Sequence, residues 1–209
     1  IKNALIFLNI SSILFIVMSD KQHSLVLDTY YNQDKEALLF LLRRFISPSV
    51  PSIPLEAIFE IIEDSDDIDY HSICLEIVFM HKEKYADSLF SKLHSTRSQN
   101  IISFICGAIG VEPSVRELIH LIPLFFNDIE FRPIIRDTVF HDKKTLLLSL
   151  AYFVEDHPVS KEQEQLVIEL LKTIPRDVFL STKGSLSTLK LYDYYYQIPP
   201  QERHPKDTD

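Results

Sequence analysis

Apolar residues in this chain recur at helical spacing, and the pattern itself repeats. One apolar motif appears three times in steps of 32 residues, at 41–45, 73–77 and 105–109. A second series is offset from the first and runs through Ile58, Leu89 and Ile119 in steps of 31 and 30 residues. Two interleaved helical series of this period are typical of stacked helix pairs, because each pair is too small to bury its own apolar face.

The spacing of apolar positions predicts helix pairs along most of the chain, followed by a short segment and a last helix. The predicted bounds are 22–31 and 35–47, 54–63 and 70–82, 84–94 and 99–109, 114–126 and 130–140, 144–155 and 161–173, then 176–181 and 185–196. These elements leave no room for a sheet. The sequence therefore predicts an all-α fold.

Cap and break residues mark the ends of these helices. Asp34 suits an N-cap, and Ser114 and Ser160 each begin a capping box with Glu or Gln three residues later. The segment 47–54 contains three prolines and should interrupt any helix. Gly110, with a proline three residues further on, is a typical helix stop.

Helix pairs of this length and period resemble the HEAT and armadillo families of α-helical repeats. The resemblance covers residues 22–196 and includes Pro123, which should kink the first helix of its pair. Val115-Arg116 is the one place that resembles the Val-Arg of HEAT repeats. The resemblance implies a right-handed α-solenoid of about five helix pairs plus a C-terminal capping helix, and a general binding role. It transfers no functional residue.

Composition agrees with a helical domain and limits its ligands. Hydrophobic residues are 46% of the 209, enough for a core, and the three glycines are too few for a sandwich, barrel or glycine-rich phosphate loop. The net charge of -9 repels phosphates over most of the surface, so no nucleic-acid partner is expected. Cys74 and Cys106 lie at equivalent repeat positions and are predicted to be buried thiols.

The two ends of the chain differ from the middle. Residues 1–17 are almost wholly apolar, and three interpretations stay open: a non-native or upstream extension before a start at Met18, a membrane anchor or signal, or an integral first helix. A start at Met18 predicts a cytoplasmic or nuclear protein, and retention of residues 1–17 predicts membrane association. Residues 18–197 are expected to form a single helical-repeat domain, and residues 198–209 a disordered tail.

Two patterns suggest chemistry but fit ordinary structure better. The acidic stretch 64–69 lacks the glycine and the final glutamate of a calcium-binding EF-hand loop, so we interpret it as a turn whose aspartates cap the next helix. His141 and Asp142 form an acid–imidazole pair without a recognisable nucleophile motif. The sequence predicts no metal, no cofactor and no catalytic residue.

Arginines on the second helices of the pairs, and tyrosines near the C-terminus, are the candidate partner-binding residues. Guanidinium groups bind carboxylates and phosphates through forked hydrogen bonds, and tyrosines bury area while keeping a polar tip. The predicted set is Arg43, Arg44, Glu76, Ser103, Arg132, Arg136, Tyr192 and Tyr195. The tyrosines also suit a capping surface for the last repeat.

The function that follows is a non-catalytic adaptor or scaffold that binds a protein, or an acidic or phosphorylated peptide, on a concave solenoid surface. One alternative is a membrane-attached adaptor that uses residues 1–17. A second is an enzyme with a site between helices near His141 and Asp142. The oligomeric state is left open.

Overall fold

A computed structural model describes residues 21–47, 49–50, 52–182 and 189–203. Within these ranges the protein has twelve α-helices and no strand, so the all-α prediction is confirmed there. The helices are α1 (21–31), α2 (Lys35–Arg43), α3 (Leu55–Asp64), α4 (Ile68–Met80), α5 (Lys82–Ser95), α6 (Gln99–Gly110), α7 (Val115–Asn127), α8 (Arg132–Val139), α9 (Lys143–Asp156), α10 (Lys161–Lys172), α11 (Arg176–Thr182) and α12 (Leu189–Gln197). The apolar extension at residues 1–17 lies outside the described residues.

The chain divides into two compact units. That residues 18–197 form a single helical-repeat domain stays a prediction. The first unit reaches Ala108 and the second begins at Ile109, so the division falls near the end of α6. Each unit has its own apolar core.

In the first unit, the repeat positions are the buried positions. Leu42, Cys74 and Cys106 lie 32 residues apart, and all three side chains are buried. Both cysteines are free thiols, as the repeat predicts. Phe45 and Ile77, three residues further along their repeats, are buried too. Helices α2 and α4 pack on each other, and α4 also contacts α3 and α5. The main contacts of this unit therefore join helices one or two positions apart along the chain.

Helix α2 is shorter than predicted, because the chain turns before the proline-rich break. It ends at Arg43, where the sequence predicts a helix to residue 47. The amide N–H groups of Arg44 and Phe45 donate to the carbonyl oxygens three residues earlier, which tightens the last turn. His81 Nε2 lies 2.8 Å from the Phe45 carbonyl oxygen and fixes the exit of the helix.

In the second unit, helices two apart in the chain also pack on each other. These contacts join α7 with α9, α9 with α11, and α10 with α12. Both predicted capping boxes are present, with Ser114 paired to Glu117 and Ser160 paired to Gln163. Pro123 lies inside α7 as predicted. The packing of alternate helices is consistent with a repeat-like arrangement.

Several side chains form hydrogen bonds with residues about one repeat length away in the chain. In the first unit, the hydroxyl of Tyr30 donates to Asp64 at 3.0 Å, 34 residues away. In the second unit, Gln163 donates to Asn127 at 3.1 Å across 36 residues, and Lys190 donates to the Glu155 carbonyl oxygen at 2.9 Å across 35. Each link therefore joins two residues that lie near helix ends and are about one repeat apart in the chain.

The beginning of the predicted disordered tail is ordered. Pro200–Glu202 form a turn of 3-10 helix. Lys172 Nζ lies 2.7 Å from a carboxylate oxygen of Glu202, and Arg203 Nε donates to the Ile198 carbonyl oxygen at 2.9 Å. These contacts attach the segment to α10 and to the residue that follows α12. Residues 204–209 lie outside the described part of the chain.

Among the described residues, no helix combines the length and the apolar character that a membrane crossing requires.

Candidate partner-binding surfaces

The predicted partner-binding residues are divided between the two units. Arg43, Arg44, Glu76 and Ser103 belong to the first unit, and Arg132, Arg136, Tyr192 and Tyr195 belong to the second. Whether the arginines of both units form one continuous surface stays a prediction.

In the first unit, Arg43 and Glu76 line the same shallow groove between α2 and α4. On the α2 side, Leu39 and Arg43 are one helical turn apart, which brings them to one face. The α4 side presents residues at i, i+3, i+4 and i+7: Asp69, Ser72, Ile73 and Glu76. The groove therefore has a cationic wall and an acidic wall, with apolar side chains between them.

Arg44 and Ser103 are exposed but do not line this groove. Arg44 is the C-cap residue of α2, directly after Arg43, so its guanidinium extends the cationic end of the helix. A cation there also interacts favourably with the C-terminal end of the helix dipole. Ser103 is an exposed residue of α6.

The acidic stretch 64–69, beside this groove, contains the N-cap of α4 and pairs with the side chain of Lys35. Asp67 is the N-cap of α4 and accepts from the Asp69 amide at 2.9 Å, as predicted for a capping turn. Lys35 Nζ lies 2.7 Å from a carboxylate oxygen of each of Asp67 and Asp69. The hydrogen bond from Lys35 lowers the pKa of Asp67 against the opposing effect of desolvation. The part of the chain that is described contains no group of three or more metal-ligating side chains.

In the second unit, the two arginines of α8 have different surroundings. Arg132 is half-buried and donates from Nε and Nη2 to the carbonyl oxygens of Phe125 and Phe126, each at 2.9 Å. These carbonyls lie in the last turn of α7, so Arg132 caps that helix. Arg136 is exposed and pairs with Asp137 at 3.0 Å. The sequence pattern predicted the same partner-binding role for both arginines and did not indicate this difference.

The C-terminal tyrosines build an aromatic groove between α11 and α12. Its floor is a stacked pair, Phe179 and Tyr195, whose ring centroids are 4.1 Å apart. Tyr192 packs edge-on against Phe179 with centroids 5.6 Å apart. The other lining residues are exposed or peripheral side chains: Arg176, Leu180, Tyr196, Pro200 and Arg203. The sequence predicted the tyrosines here but missed the two arginines and the leucine.

The two predicted tyrosines occupy this groove differently. Tyr195 is buried with 9% of its surface exposed, so it acts mainly as packing, in line with the predicted capping surface. The hydroxyl oxygen of Tyr192 is buried and has no hydrogen-bond partner within the described structure. An unsatisfied buried hydroxyl costs free energy, and because this oxygen is buried a ligand in the groove does not reach it.

Sequence reasoning missed a second groove of the first unit, between α3 and α5. Its α3 wall carries carboxylates at i, i+4 and i+7: Glu56, Glu60 and Glu63. The α5 wall carries hydroxyls and one amine, those of Ser88, Ser91, Lys92 and Ser95. Lys92 Nζ lies 5.4 Å from the Phe59 ring centroid, and Glu60 accepts a hydrogen bond from Tyr31. The spacing of the glutamates is a signal that could have indicated this face.

His141 and Asp142, the pair considered for catalysis, lie at the start of α9. Asp142 is the N-cap and accepts from the amides of Lys144 and Thr145, each at 3.1 Å, and from the Thr145 hydroxyl at 2.9 Å. Desolvation acts to raise the pKa of Asp142, but these hydrogen bonds outweigh it, so the pKa is lowered. His141 Nδ1 lies 3.1 Å from the Thr138 carbonyl oxygen. The carboxylate is therefore engaged in holding the helix end.

Comparison with protein-family models, with curated proteins and with solved structures finds no match for this chain. Over the described residues the protein is all-helical, and its helices pack largely in sequence order.

Proposed function

We propose that this protein is a non-catalytic scaffold that binds a protein or an acidic peptide on the surface of an α-solenoid of the HEAT or armadillo type. The observation that carries the proposal is the packing of alternate helices. α2 contacts α4 in one unit, and α7 contacts α9 in the other. Stacking of this kind leaves extended grooves between equivalent helices, and extended surfaces are what repeat proteins use for binding.

The finer architecture belongs to the same proposal. Twelve helices would form a right-handed solenoid of about five pairs with a terminal cap, because interleaved helical series of about 30 residues produce stacked pairs. The 32-residue spacing of Leu42, Cys74 and Cys106, all buried, supports this arrangement in the first unit. Links such as Gln163 to Asn127, 36 residues apart, support it in the second.

The groove between α2 and α4 is the proposed site. Arg43 and Arg44 supply positive charge at one end of a chain whose net charge is -9, so an acidic or phosphorylated segment would be steered there. A carboxylate or phosphate at that end would accept forked hydrogen bonds from the exposed guanidiniums. Glu76 on the opposite wall would pair with a basic residue of the same segment.

Cross-linking with mass spectrometry tests the proposal. The full chain is bound to proteins from native lysate, cross-linked, and the contact sites are mapped. We expect partner cross-links at α2 and α4. The double substitution Arg43→Glu, Arg44→Glu should weaken capture and reduce its salt dependence, because exposed charges act through a screened field.

The matched control reverses two exposed lysines of the second unit, Lys144→Glu and Lys161→Glu. This double variant changes the net charge by the same amount at a different place, and we expect capture to stay at the wild-type level. Equal loss in both double variants would show a general charge effect. Full capture by both would reject the α2–α4 groove as the binding site.

A further inference from the structure

We propose that the aromatic groove between α11 and α12 is a second binding site, specific for an extended acidic peptide with an aromatic anchor residue. The inference rests on the proposed role in peptide binding but uses a different surface, in the other unit. The groove carries an apolar cradle and two guanidinium groups.

The cradle comes from the same spacing on both helices. α11 contributes residues at i, i+3 and i+4, which are Arg176, Phe179 and Leu180, and α12 contributes Tyr192, Tyr195 and Tyr196 at the same spacing. Residues at this spacing share one helix face, so the two triplets line opposite walls. The stacked floor of the groove is fixed by packing and would not need to be ordered by the ligand.

Two apolar side chains on the walls of the groove are largely exposed to solvent. Leu180 is 55% exposed and Tyr196 is 61% exposed, although both line the groove. Single exposed apolar residues are ordinary, but two that face one groove form a cradle for an apolar side chain. An aromatic side chain between them would bury both faces, as aromatic anchors do in peptide-binding pockets.

The two guanidinium groups favour a ligand with negative charge. Arg203 is held in place by hydrogen bonds from Nε to Ile198 and from Nη2 to Tyr196, and its guanidinium lies over the Tyr195 and Tyr196 rings at 5.4 and 5.3 Å. Arg176 is exposed at the first residue of α11. A basic segment would be repelled by this pair. A carboxylate beside the anchor would be attracted and would accept charge-assisted hydrogen bonds.

Tyr192 contributes its ring to the cradle and not its hydroxyl. The hydroxyl oxygen is buried, so a ligand in the groove does not reach it. The features that a ligand can contact are the exposed apolar walls and the two guanidinium groups. An acidic peptide with an aromatic anchor is therefore the ligand that uses both features together.

Fluorescence anisotropy with three labelled probes tests the proposal on the full chain. The first probe has Phe at its centre with two Asp residues on each side, in a Gly-Ser frame. In the second Lys replaces each Asp, and in the third Ala replaces Phe. We expect the first probe to bind about tenfold more tightly than either of the others, because loss of a buried anchor or charge pair costs about one decade of affinity.

Variants then locate the site. Tyr196→Ala and Arg176→Gln should each weaken the first probe about tenfold, and Arg176→Gln should also reduce its salt dependence. Tyr152→Ala removes a tyrosine of α9 that is 55% exposed and does not line the groove, and Lys161→Gln removes an exposed cation of α10. Both controls should change affinity by no more than about twofold, as expected for residues outside an interface. Far-UV circular dichroism verifies that each variant is folded.

Three outcomes would overturn this inference: no binding of the first probe, equal binding of all three probes, or equal losses in the groove and control variants. A photo-reactive residue in place of the probe's Phe separates this failure from failure of the general proposal. Attachment to α11 and α12 is expected. Attachment to α2 and α4 would reject the aromatic groove while supporting the peptide-binding role.

Discussion

The hydroxyl of Tyr85 donates a hydrogen bond of 2.6 Å to the carbonyl oxygen of Ile53, 32 residues earlier in the chain. Tyr85 lies in the first turn of α5, and Ile53 lies in the proline-rich connection just before α3. Both side chains are buried. One hydrogen bond therefore fixes an irregular connection to the corresponding place in the next repeat.

Tyr85→Phe should lower the free energy of unfolding by about 1–2 kcal/mol, because the Ile53 carbonyl oxygen would stay buried without this donor. Urea denaturation followed by circular dichroism measures the change. Tyr152→Phe is the matched control, since the Tyr152 side chain is 55% exposed. An equal loss in the two variants would show that the hydrogen bond to Ile53 has no special role.

Two glycines of α6 should respond oppositely to alanine. A Cβ at Gly110 would lie 2.5 Å from the Thr138 carbonyl oxygen, so Gly110→Ala forces a backbone shift and should cost about 1–3 kcal/mol. A Cβ at Gly107 would meet only the flexible end of Leu75, at 3.4 Å. Gly107→Ala should therefore be neutral or stabilise the helix by up to about 1 kcal/mol. Thermal unfolding of both variants tests this, and a loss at Gly107 equal to that at Gly110 would contradict it.

Alkaline pH should destabilise the protein through its buried weak acids. Burial raises the pKa of Cys74, Cys106 and Tyr85 to about 12 in each case. In the unfolded chain, thiols ionise near pH ~8.5 and phenols near pH ~10, so the unfolded state loses these protons first. Below the pKa values of the unfolded chain, the free energy of unfolding does not depend on these groups' ionisation. Above them it falls as pH rises toward 12, by about 1.4 kcal/mol per pH unit for each group.

Urea midpoints measured between pH 7 and pH 10.5 test this dependence. We expect a progressive fall above about pH 8.5, where the unfolded thiols begin to ionise. Cys106→Ala should be less stable at pH 7 by about 1–2 kcal/mol, because a small buried group is lost. Its midpoint should then fall less steeply with pH. A midpoint that does not change between pH 7 and 10.5 in the wild type would contradict the assignment.

Millimolar calcium should leave the melting temperature unchanged within about 1 °C, because a cation without a formed site gives no binding stabilisation. Asp67 and Asp69 already share the ammonium group of Lys35, and Asp67 is occupied as a helix cap. The measurement is thermal unfolding with calcium and with chelator, and magnesium serves as the ionic-strength control. A rise of several degrees specific to calcium would show that the acidic stretch is a metal site after all.

Local signals in the sequence account for most helix ends. Asp34, Ser114 and Ser160 cap their helices as predicted, because a cap needs only a side-chain oxygen and an amide two or three residues away. The end of α2 was predicted four residues too late. At that end His81 Nε2 lies 2.8 Å from the Phe45 carbonyl oxygen, 36 residues away, a contact that no local pattern contains.

At Gly110, a local sequence signal and a tertiary contact both act on one residue. The sequence marked it as a helix stop, a role usually explained by a positive φ angle. It does end α6, but no glycine in the described ranges has a positive φ. The requirement for glycine comes instead from the close approach of the Thr138 backbone, which only the packing of α8 produces.

The sequence by itself determined the helical class, the 32-residue period and the burial of Cys74 and Cys106, because helical spacing and repeat length follow directly from the order of residues. Tertiary structure decided which surface residues share a groove. It placed Arg43 opposite Glu76, used Arg132 to cap α7, and brought Arg176 and Arg203 to the aromatic groove. Such pairings depend on the rotation and crossing of helices about one repeat apart, which are set by packing of whole faces rather than by spacing along one helix.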